Sequence, residues 1–391
     1  MTESGSNDAS FLLRNVVEAL PEGGLERKLG EGRPLRVKLG IDPTAADIHL
    51  GHTVVLRKLR EFQDAGHTVV LIIGDYTARV GDPSGRSSAR PVLSPEEIDA
   101  NAETYQRQAF KVLDPERVEV RRNGEWLDMS MEELFRLART STVAQLLERD
   151  DFAKRYASGA PISVLELLYP LMQGYDSVAV RADVELGGTD QKFNLLLARE
   201  IQERYGVPPQ VAVTMPILPG TDGVKRMSKS EGNYVGVTEP PEEQFGKLMR
   251  VPDDVMPVYY ELLLDVPFDP SRPAVESKRF LAREIVARYH GREAAGEAEA
   301  HFDRLHVERA LPDEIEEAEL PPGQFVHVPA LVRDHFGLST SEARRLLVQG
   351  GIRLDGEQLG PDDLDLPANR LAGAVLQVGK RRHKRFRAAA A

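Results

Sequence analysis

Two histidines three residues apart, His49 and His52 in the stretch DIHLGHTVVLRKL (47–59), converge on one face if that stretch is helical. Imidazoles so placed hold a metal, form a catalytic or anion-binding pair, or sit as satisfied polar residues at a helix start. A metal needs a third and usually a fourth ligand, and the spacing Asp47-x-His49-x-x-His52 matches no common ligand set. The segment follows GIDPT and opens a helical pattern, where backbone N–H groups and the helix dipole favour anions. Two imidazoles there can donate to phosphate oxygens as charge develops. A second stretch, VKRMSKSEGN (224–233), packs three cations and two serines into ten residues. Alone it reads as an exposed basic turn or as a loop that grips phosphate.

These residues need a scaffold, and the flanking pattern supplies one. LRVKLGIDP (35–43) alternates and then turns, as a strand does, and the stretch from about Leu50 to Asp64 has helical periodicity. HTVVLIIGD (67–75) is a nearly continuous apolar run of strand length, typical of a buried parallel strand. Strand, turn, helix and strand make one βαβ unit. SPEE (94–97) and SMEE (130–133) are capping boxes, each predicting a helix start. VELGG (184–188) and QVAVTMPIL (210–218) read as further strands. The alternation predicts an α/β fold, a doubly wound parallel sheet of Rossmann type over roughly residues 30 to 235. VTEPPEE (237–243) then leads into a helical region reaching about residue 310, and LPDEIEEAELPPGQ (311–324) reads as a linker. STSEARRLLVQGG (339–351) is a capped helix, and IRLDGEQL predicts a hairpin turning at Asp355-Gly356. The expected domains are a catalytic one at 1–236, with residues 1–10 disordered, a helical one at 237–312, a linker at 313–324 and a small α+β unit at 325–391.

Composition narrows the classes. The chain has 391 residues, 41% hydrophobic and 29% charged, with no run of about 18 apolar residues, so no membrane span is expected. Without cysteine there is neither a disulfide nor a thiolate zinc site. The start, MTESGSNDAS, is polar and reads as neither a signal nor a transit peptide, which makes the cytoplasm the expected location. A net charge of −12 argues against a protein that coats nucleic acid, yet KRRHKRFR (380–387) packs six cations into eight residues. An acidic body with a locally basic end suits contact with a polyanion through one module.

Taken together, His49-Leu50-Gly51-His52 and Arg226-Met227-Ser228-Lys229-Ser230 resemble the HIGH and KMSKS motifs of class I aminoacyl-tRNA synthetases. Further stretches are similar to tyrosyl-tRNA synthetases in particular. YTARVGDPSG (76–85) resembles that family's loop beside the amino acid, LYPLMQGYDS (168–177) its tyrosine-binding helix and GGTDQKFN (187–194) its ribose-facing turn. KLGIDPT at the first strand resembles a bacterial subgroup, and residues 325–387 resemble an S4 RNA-binding module. The resemblance spans nearly the whole chain. It implies ATP-dependent attachment of L-tyrosine to tRNA(Tyr) through a tyrosyl-adenylate, with Mg²⁺ accompanying ATP, no structural metal, and a homodimer whose interface is expected in the helical stretch 130–175.

The resemblance also assigns residues. It places Gly40, Asp42, Gly51, Gly188, Asp190, Gln191 and Met227 at the nucleotide, and Thr44, His49, His52 and Lys229 on its phosphates, with Arg86 and Arg90 closing over them. It places Thr77 and Lys38 beside the tyrosine, and Asp82, Tyr169 and Gln173 at its α-ammonium, which needs a carboxylate and neutral acceptors. Asp176 falls at the phenol; a buried carboxylate left unpaired by phenylalanine would make the pocket selective. Arg344, Arg345, Lys380, Arg381, Arg382, Lys384 and Arg385 fall in the RNA-binding module, and the helical region would meet the anticodon. One position departs from the pattern: Lys38 stands where many tyrosyl enzymes carry a second tyrosine against the substrate hydroxyl. It is expected either to pair with a carboxylate such as Asp75 or Asp176 or to donate to the phenol oxygen.

Three rivals remain open. A tryptophanyl-tRNA synthetase shares fold and motifs, but Asp176 in QGYD and the S4-like end speak against it. A non-catalytic RNA-binding protein derived from a synthetase would not need His49, His52 and Lys229 intact. A nucleotidyltransferase of the HxGH kind would not explain RMSKS followed by an S4-like end.

Overall fold

A computed structural model of the chain describes residues 8–43, 47–82, 93–264, 266–306, 315–379 and 382–388. Residues 1–299 and 300–391 form two compact units. The first is built on six strands: β1 (Glu18–Leu20), β2 (Arg36–Ile41), β3 (Thr68–Ile73), β4 (Val118–Arg122), β5 (Val184–Gly188) and β6 (Val211–Met215). Their spatial order is β1-β6-β5-β2-β3-β4, parallel throughout except for β1, which runs antiparallel to β6 with Glu18 opposite Thr214. From β2 the chain winds outward through β3 to β4, then returns to the other side of β2 through β5 and β6. The winding direction therefore reverses between β2 and β5, and ligands of open α/β sheets lie beyond the strand C-termini at such a reversal.

Covering helices bury both faces, which explains why β3 is apolar on alternate residues of both sides: Val69, Val70, Leu71 and Ile72 are all fully buried. Helix α1 (Leu50–Asp64) follows β2, and α2 (Pro95–Ala109) starts at the Ser94–Glu97 capping box. Next come α3 (Met131–Ala138), capped by Ser130, then α4 (Asp150–Ala157), α5 (Val164–Ala179) and α6 (Lys192–Arg204). The α5 start is a third capping box, with Ser163 N–H donating to Glu166 Oε2 at 2.9 Å and Glu166 N–H donating to Ser163 Oγ at 3.1 Å. Helices α7 (Pro241–Leu248), α8 (Met256–Leu263) and α9 (Ala274–His290) complete this unit, and α10 (Arg292–His306) runs across the boundary at residue 299. No helix among the described residues is long and apolar enough to cross a membrane.

The second unit has its own core, including Leu331, Val332, Leu347, Ile352, Leu376 and Phe386. Strands β7 (Glu317–Glu319), β8 (Phe325–His327), β9 (Ile352–Leu354), β10 (Glu357–Gln358), β11 (Asp365–Pro367), β12 (Val375–Val378) and β13 (Arg382–Arg387) form a five-stranded sheet, β10-β9-β12-β13-β7, and a β11-β8 pair. Helices α11 (Val328–Phe336) and α12 (Thr340–Val348) pack with them. The β9–β10 hairpin turns at Asp355 and Gly356, both at positive φ, as the sequence predicts. Two local expectations change. Part of the expected linker is strand β7, and most of the basic run 380–387, for which no element was expected, is strand β13, where Phe386 enters the core.

Candidate active site

The reversal between β2 and β5 opens a cavity of about 280 Å³, lined from one side by Gly40, Ile41 and Asp42 and from the other by Leu186, Gly187 and Gly188. Helix α5 supplies one wall. Tyr169, Gln173 and Asp176 lie four and three residues apart, so they share a face, and all three line the cavity. Thr77, Asp82, Asp190 and Gln191 line it as well. The structure thus brings together the described residues expected around the amino acid, with Lys38 as the exception.

Asp176 is buried in the cavity wall. Trp126 Nε1 donates to its Oδ1 at 2.8 Å and Asn123 Nδ2 to its Oδ2 at 3.4 Å. Burial lifts its carboxyl to about 7, partly countered by the charge of Lys38 and by these two hydrogen bonds. Asp42, expected at the nucleotide, also organises the amino-acid side: Tyr169 Oη donates to Oδ2 at 2.8 Å and Thr77 Oγ1 to Oδ1 at 2.6 Å. Any side chain at Gly74 would collide with Asp42 Oδ1, so glycine there is a packing requirement. Asp82 receives Gln191 Nε2 at 3.0 Å and Arg149 Nη2 at 3.4 Å. Sequence reasoning missed Asn123, Trp126, Arg149 and Gly74. Only the lone tryptophan of the chain carried any signal.

Lys38 requires a correction. It pairs with neither Asp75 nor Asp176, and it does not line the cavity. Its Nζ lies 2.9 Å from Glu185 Oε1 and donates to Gln173 O at 3.0 Å and Ser177 Oγ at 2.8 Å. Those contacts engage all three ammonium protons, leaving none for a phenol oxygen. Asp75 instead accepts from Gly124 N at 2.8 Å.

The cavity adjoins a second of about 520 Å³, and both are lined by His52, Val55, Tyr105, Gly188 and Asp190. Here the two motifs meet. Leu50 N donates to Val235 O at 2.9 Å and Val237 N to Ile48 O at 3.0 Å, so the chain after the 226–230 loop pairs with the start of α1. His49 is the N-cap of α1, and its ring centroid lies 3.9 Å from that of His52. A Cβ at Gly51 would come within 3.0 Å of the His49 ring, which accounts for glycine between them. His49 N–H donates to His52 Nδ1 at 3.2 Å, which leaves the His52 proton on Nε2. Burial lowers His52 to about 4, helped by the Lys229 charge, and His49 to about 2, helped by His52, Lys229 and Arg226, so both rings are neutral at pH 7. His49 Nδ1 is buried without a hydrogen-bond partner.

Met227, Ser228, Lys229 and Ser230 line the same cavity. Asn233, buried beneath the loop, organises it: its Oδ1 accepts from Ser228 N at 2.9 Å, and its Nδ2 donates to Asp222 Oδ2 at 2.8 Å and Arg226 O at 3.1 Å. Two loop cations rest on carboxylates, Lys229 on Asp47 at 2.6 Å and Arg226 on Asp190 at 2.9 Å. Both pairs are partly exposed and so are weak enough to exchange for phosphate. Thr44, Arg86 and Arg90, and in the second unit Lys380 and Arg381, lie outside the described residues. Arg344, Arg345, Arg382 and Arg385 are exposed, and Lys384 is partly buried against Glu316.

A reversal-point crevice with paired histidines and a basic loop defines a nucleotide-using α/β enzyme, and comparisons with known proteins specify it. The family model for class I tRNA synthetases (W and Y) matches residues 30–307. The tyrosine–tRNA ligase of Moorella thermoacetica is 51% identical over 392 residues, covering 96% of this chain and 94% of that protein. That of Thermotoga maritima is 51% identical over 388 residues, covering 96% of each. Among solved structures, a truncated mitochondrial tyrosyl-tRNA synthetase of Aspergillus nidulans shares the fold, with TM-score 0.63 and 23% identity over 75% of this chain and 93% of that one. The tyrosyl-tRNA synthetase of Archaeoglobus fulgidus, complexed with L-tyrosine, gives TM-score 0.61 and 25% identity over 73% of this chain and 96% of that one. The chain belongs to the class I tRNA synthetases, within their tyrosine–tRNA ligase branch. Enzymes of this class take ATP as a substrate.

Proposed function

We propose that the chain attaches L-tyrosine to tRNA in two steps, forming tyrosyl-adenylate from ATP and then esterifying the 2′- or 3′-hydroxyl at the tRNA end. The observation that carries this reading is the continuity of two cavities, one with the buried Asp176 carboxylate in its wall and the other lined by His49, His52 and Lys229. The phenol hydroxyl donates to Asp176, and the α-ammonium lies among Asp82, Tyr169 and Gln173, with Thr77 holding Asp42 in place. Gly40, Asp42, Gly51, Gly188, Asp190, Gln191 and Met227 enclose the adenosine. Arg226 leaves Asp190 as the ribose arrives, and Lys229 leaves Asp47 for phosphate.

In the first step a tyrosine carboxylate oxygen bonds to the α-phosphorus and the bond to pyrophosphate breaks. Charge builds on the leaving pyrophosphate, where Lys229 and the N–H groups of two neutral imidazoles stabilise it. No side chain forms a covalent bond, so rate comes from positioning and electrostatics. Thr44, Arg86 and Arg90 complete the phosphate site on the strength of the resemblance. Mg²⁺ would come with the substrate, held largely by ATP phosphates.

For tRNA, the second unit offers Arg344, Arg345, Arg382, Lys384 and Arg385, with Lys380 and Arg381 beside them in sequence, and the helices after residue 237 face the anticodon. A homodimer is supported by exposed apolar side chains on and around α3 to α5, Met131, Phe135, Val143, Val164 and Leu165. The cytoplasm is the location that suits this reaction. The test is exchange of labelled pyrophosphate into ATP without tRNA, with tyrosine, phenylalanine and tryptophan compared. Exchange with tyrosine alone is expected. Exchange with tryptophan, or with no amino acid, overturns the reading.

A further inference from the structure

At the wall of the amino-acid cavity, which Glu185 lines, lies a buried ion pair between Glu185 and Lys38. Lys38 and Glu185 expose 0% and 1% of their side chains, and two charges at that depth are expensive to desolvate unless each finds several partners. Glu185 has four: Lys38 and Gln173 Nε2 (3.3 Å) at Oε1, and Ser177 Oγ (3.1 Å) and Gln210 Nε2 at Oε2. Lys38 can only donate, so the Glu185 Oε1 that faces both Lys38 and Gln173 serves as an acceptor.

That has a consequence for Gln173. The two ends of an amide are nearly equal in size, and either can face a neighbour. Facing a carboxylate, only the NH₂ end is favourable, which sends Oε1 the other way. There Oε1 accepts from Asn194 Nδ2 at 2.8 Å. Asn194 is itself oriented, because Arg149, which only donates, bonds to its Oδ1 at 3.1 Å. A second hydrogen bond, from Asn194 Nδ2 to Gln191 Oε1 at 3.1 Å, agrees with that orientation. The row Glu185–Gln173–Asn194–Arg149 therefore has an acceptor-only group at one end and a donor-only group at the other. Both ends impose the same sense on the amides between them. Gln173 lines the cavity, and its Oε1, with two lone pairs and one hydrogen bond from Asn194, has capacity for one more N–H.

We infer that Glu185, with Lys38 as its counter-ion, and Asn194 are positioning residues that hold the Gln173 amide with its oxygen toward the substrate, so that the pocket prefers ligands carrying a protonated amine. With the opposite orientation the NH₂ group would oppose the ammonium. The inference rests on the assignment of Gln173 to the α-ammonium made above.

Three ligands separate amine recognition from general fit: tyrosine, tyramine, which keeps the amine, and 3-(4-hydroxyphenyl)propionate, which lacks it. Their dissociation constants would be measured by equilibrium dialysis on the full-length protein. The variants are the charge-free pair Lys38→Met/Glu185→Leu and, separately, Asn194→Leu, which leaves the ion pair intact should the first fail to fold. Each is expected to weaken tyrosine and tyramine about tenfold and to change the deaminated acid less than about twofold, the loss of one well-oriented hydrogen bond to a charged group. Equal weakening of all three ligands means a structural role only and overturns the inference, as does unchanged tyrosine affinity in the folded variants. Gln173→Leu separates the two assignments. If it leaves the tyrosine-to-deaminated-acid ratio intact, the reading of Gln173 is wrong. If it collapses the ratio while the other variants do not, only the positioning inference falls.

Discussion

In the proposed reading, the Asp176 carboxylate sets both specificity and pH response. Burial holds its pKa near 7, above the ordinary value of about 3.9. The ionised form is therefore disfavoured by the fold; the group's contribution to stability is complete below about pH 4 and is lost as pH rises through about 7. Tyrosine binding has the opposite sign, because a phenol donates to the ionised form. KM for tyrosine in pyrophosphate exchange is expected to rise about tenfold per unit as pH falls below 7, and Asp176→Asn should flatten that slope. An unchanged slope in the variant would remove Asp176 from the pocket's chemistry. Lys229 belongs to the other half of the site. Lys229→Ala is expected to lower the rate of adenylate formation about a hundredfold or more with little change in tyrosine affinity, and stopped-flow fluorescence distinguishes the two. Equal losses in both would sink the assignment. His49, His52, Lys229 and Asp176 were legible in the sequence because motif spacing carries them. Asn123 and Glu185 were not, because each matters through partners elsewhere in the chain and nothing local marks it, and Trp126 is marked only by being the one tryptophan.

At the level of elements, α5 decides the geometry of the amino-acid pocket. Tyr169, Gln173 and Asp176 share one of its faces, and its start is fixed by the Ser163–Glu166 box, with Glu166 also paired to the buried Arg155 at 2.7 Å. Ser163→Ala removes one cap and should cost about 1 kcal/mol, read as a lower urea midpoint with an unchanged denaturant slope; no shift would mean that Arg155 alone holds the helix end. The elements that sequence periodicity revealed are those with one dominant pattern, such as β3, α1 and the capped α2 and α3. Strands β1 and β4 escaped notice. VEVRR in β4 alternates weakly and is half-buried along its length, and EAL in β1 is a strand chiefly because β6 presents an edge to it. The strand in the basic run at the end escaped notice for a related reason: its charges dominate the pattern, while the single Phe386 that anchors it as β13 contributes little to any average.

Over the whole molecule, charge is divided against its sum. A net charge of −12 should repel a polyanion, yet the second unit presents exposed Arg344 and Arg345 on one short helix and Arg382 and Arg385 on one strand. Selective binding then depends on few contacts, and each should be visible in the salt dependence. Replacing Arg344 and Arg345 together by alanine is expected to weaken tRNA affinity and to reduce the slope of log affinity against log salt by about 1 to 2. Pyrophosphate exchange, which needs no tRNA, should be unchanged, because these side chains lie in the unit after residue 299 and the adenylation residues all lie in the unit before it. Nitrocellulose filter binding at several salt concentrations measures the slope, and the exchange assay on the same preparation controls for folding. A loss of affinity with no change in slope would mean that the two arginines pack within their unit instead of meeting phosphate. A parallel loss of exchange would mean that the two units do not act as separable modules.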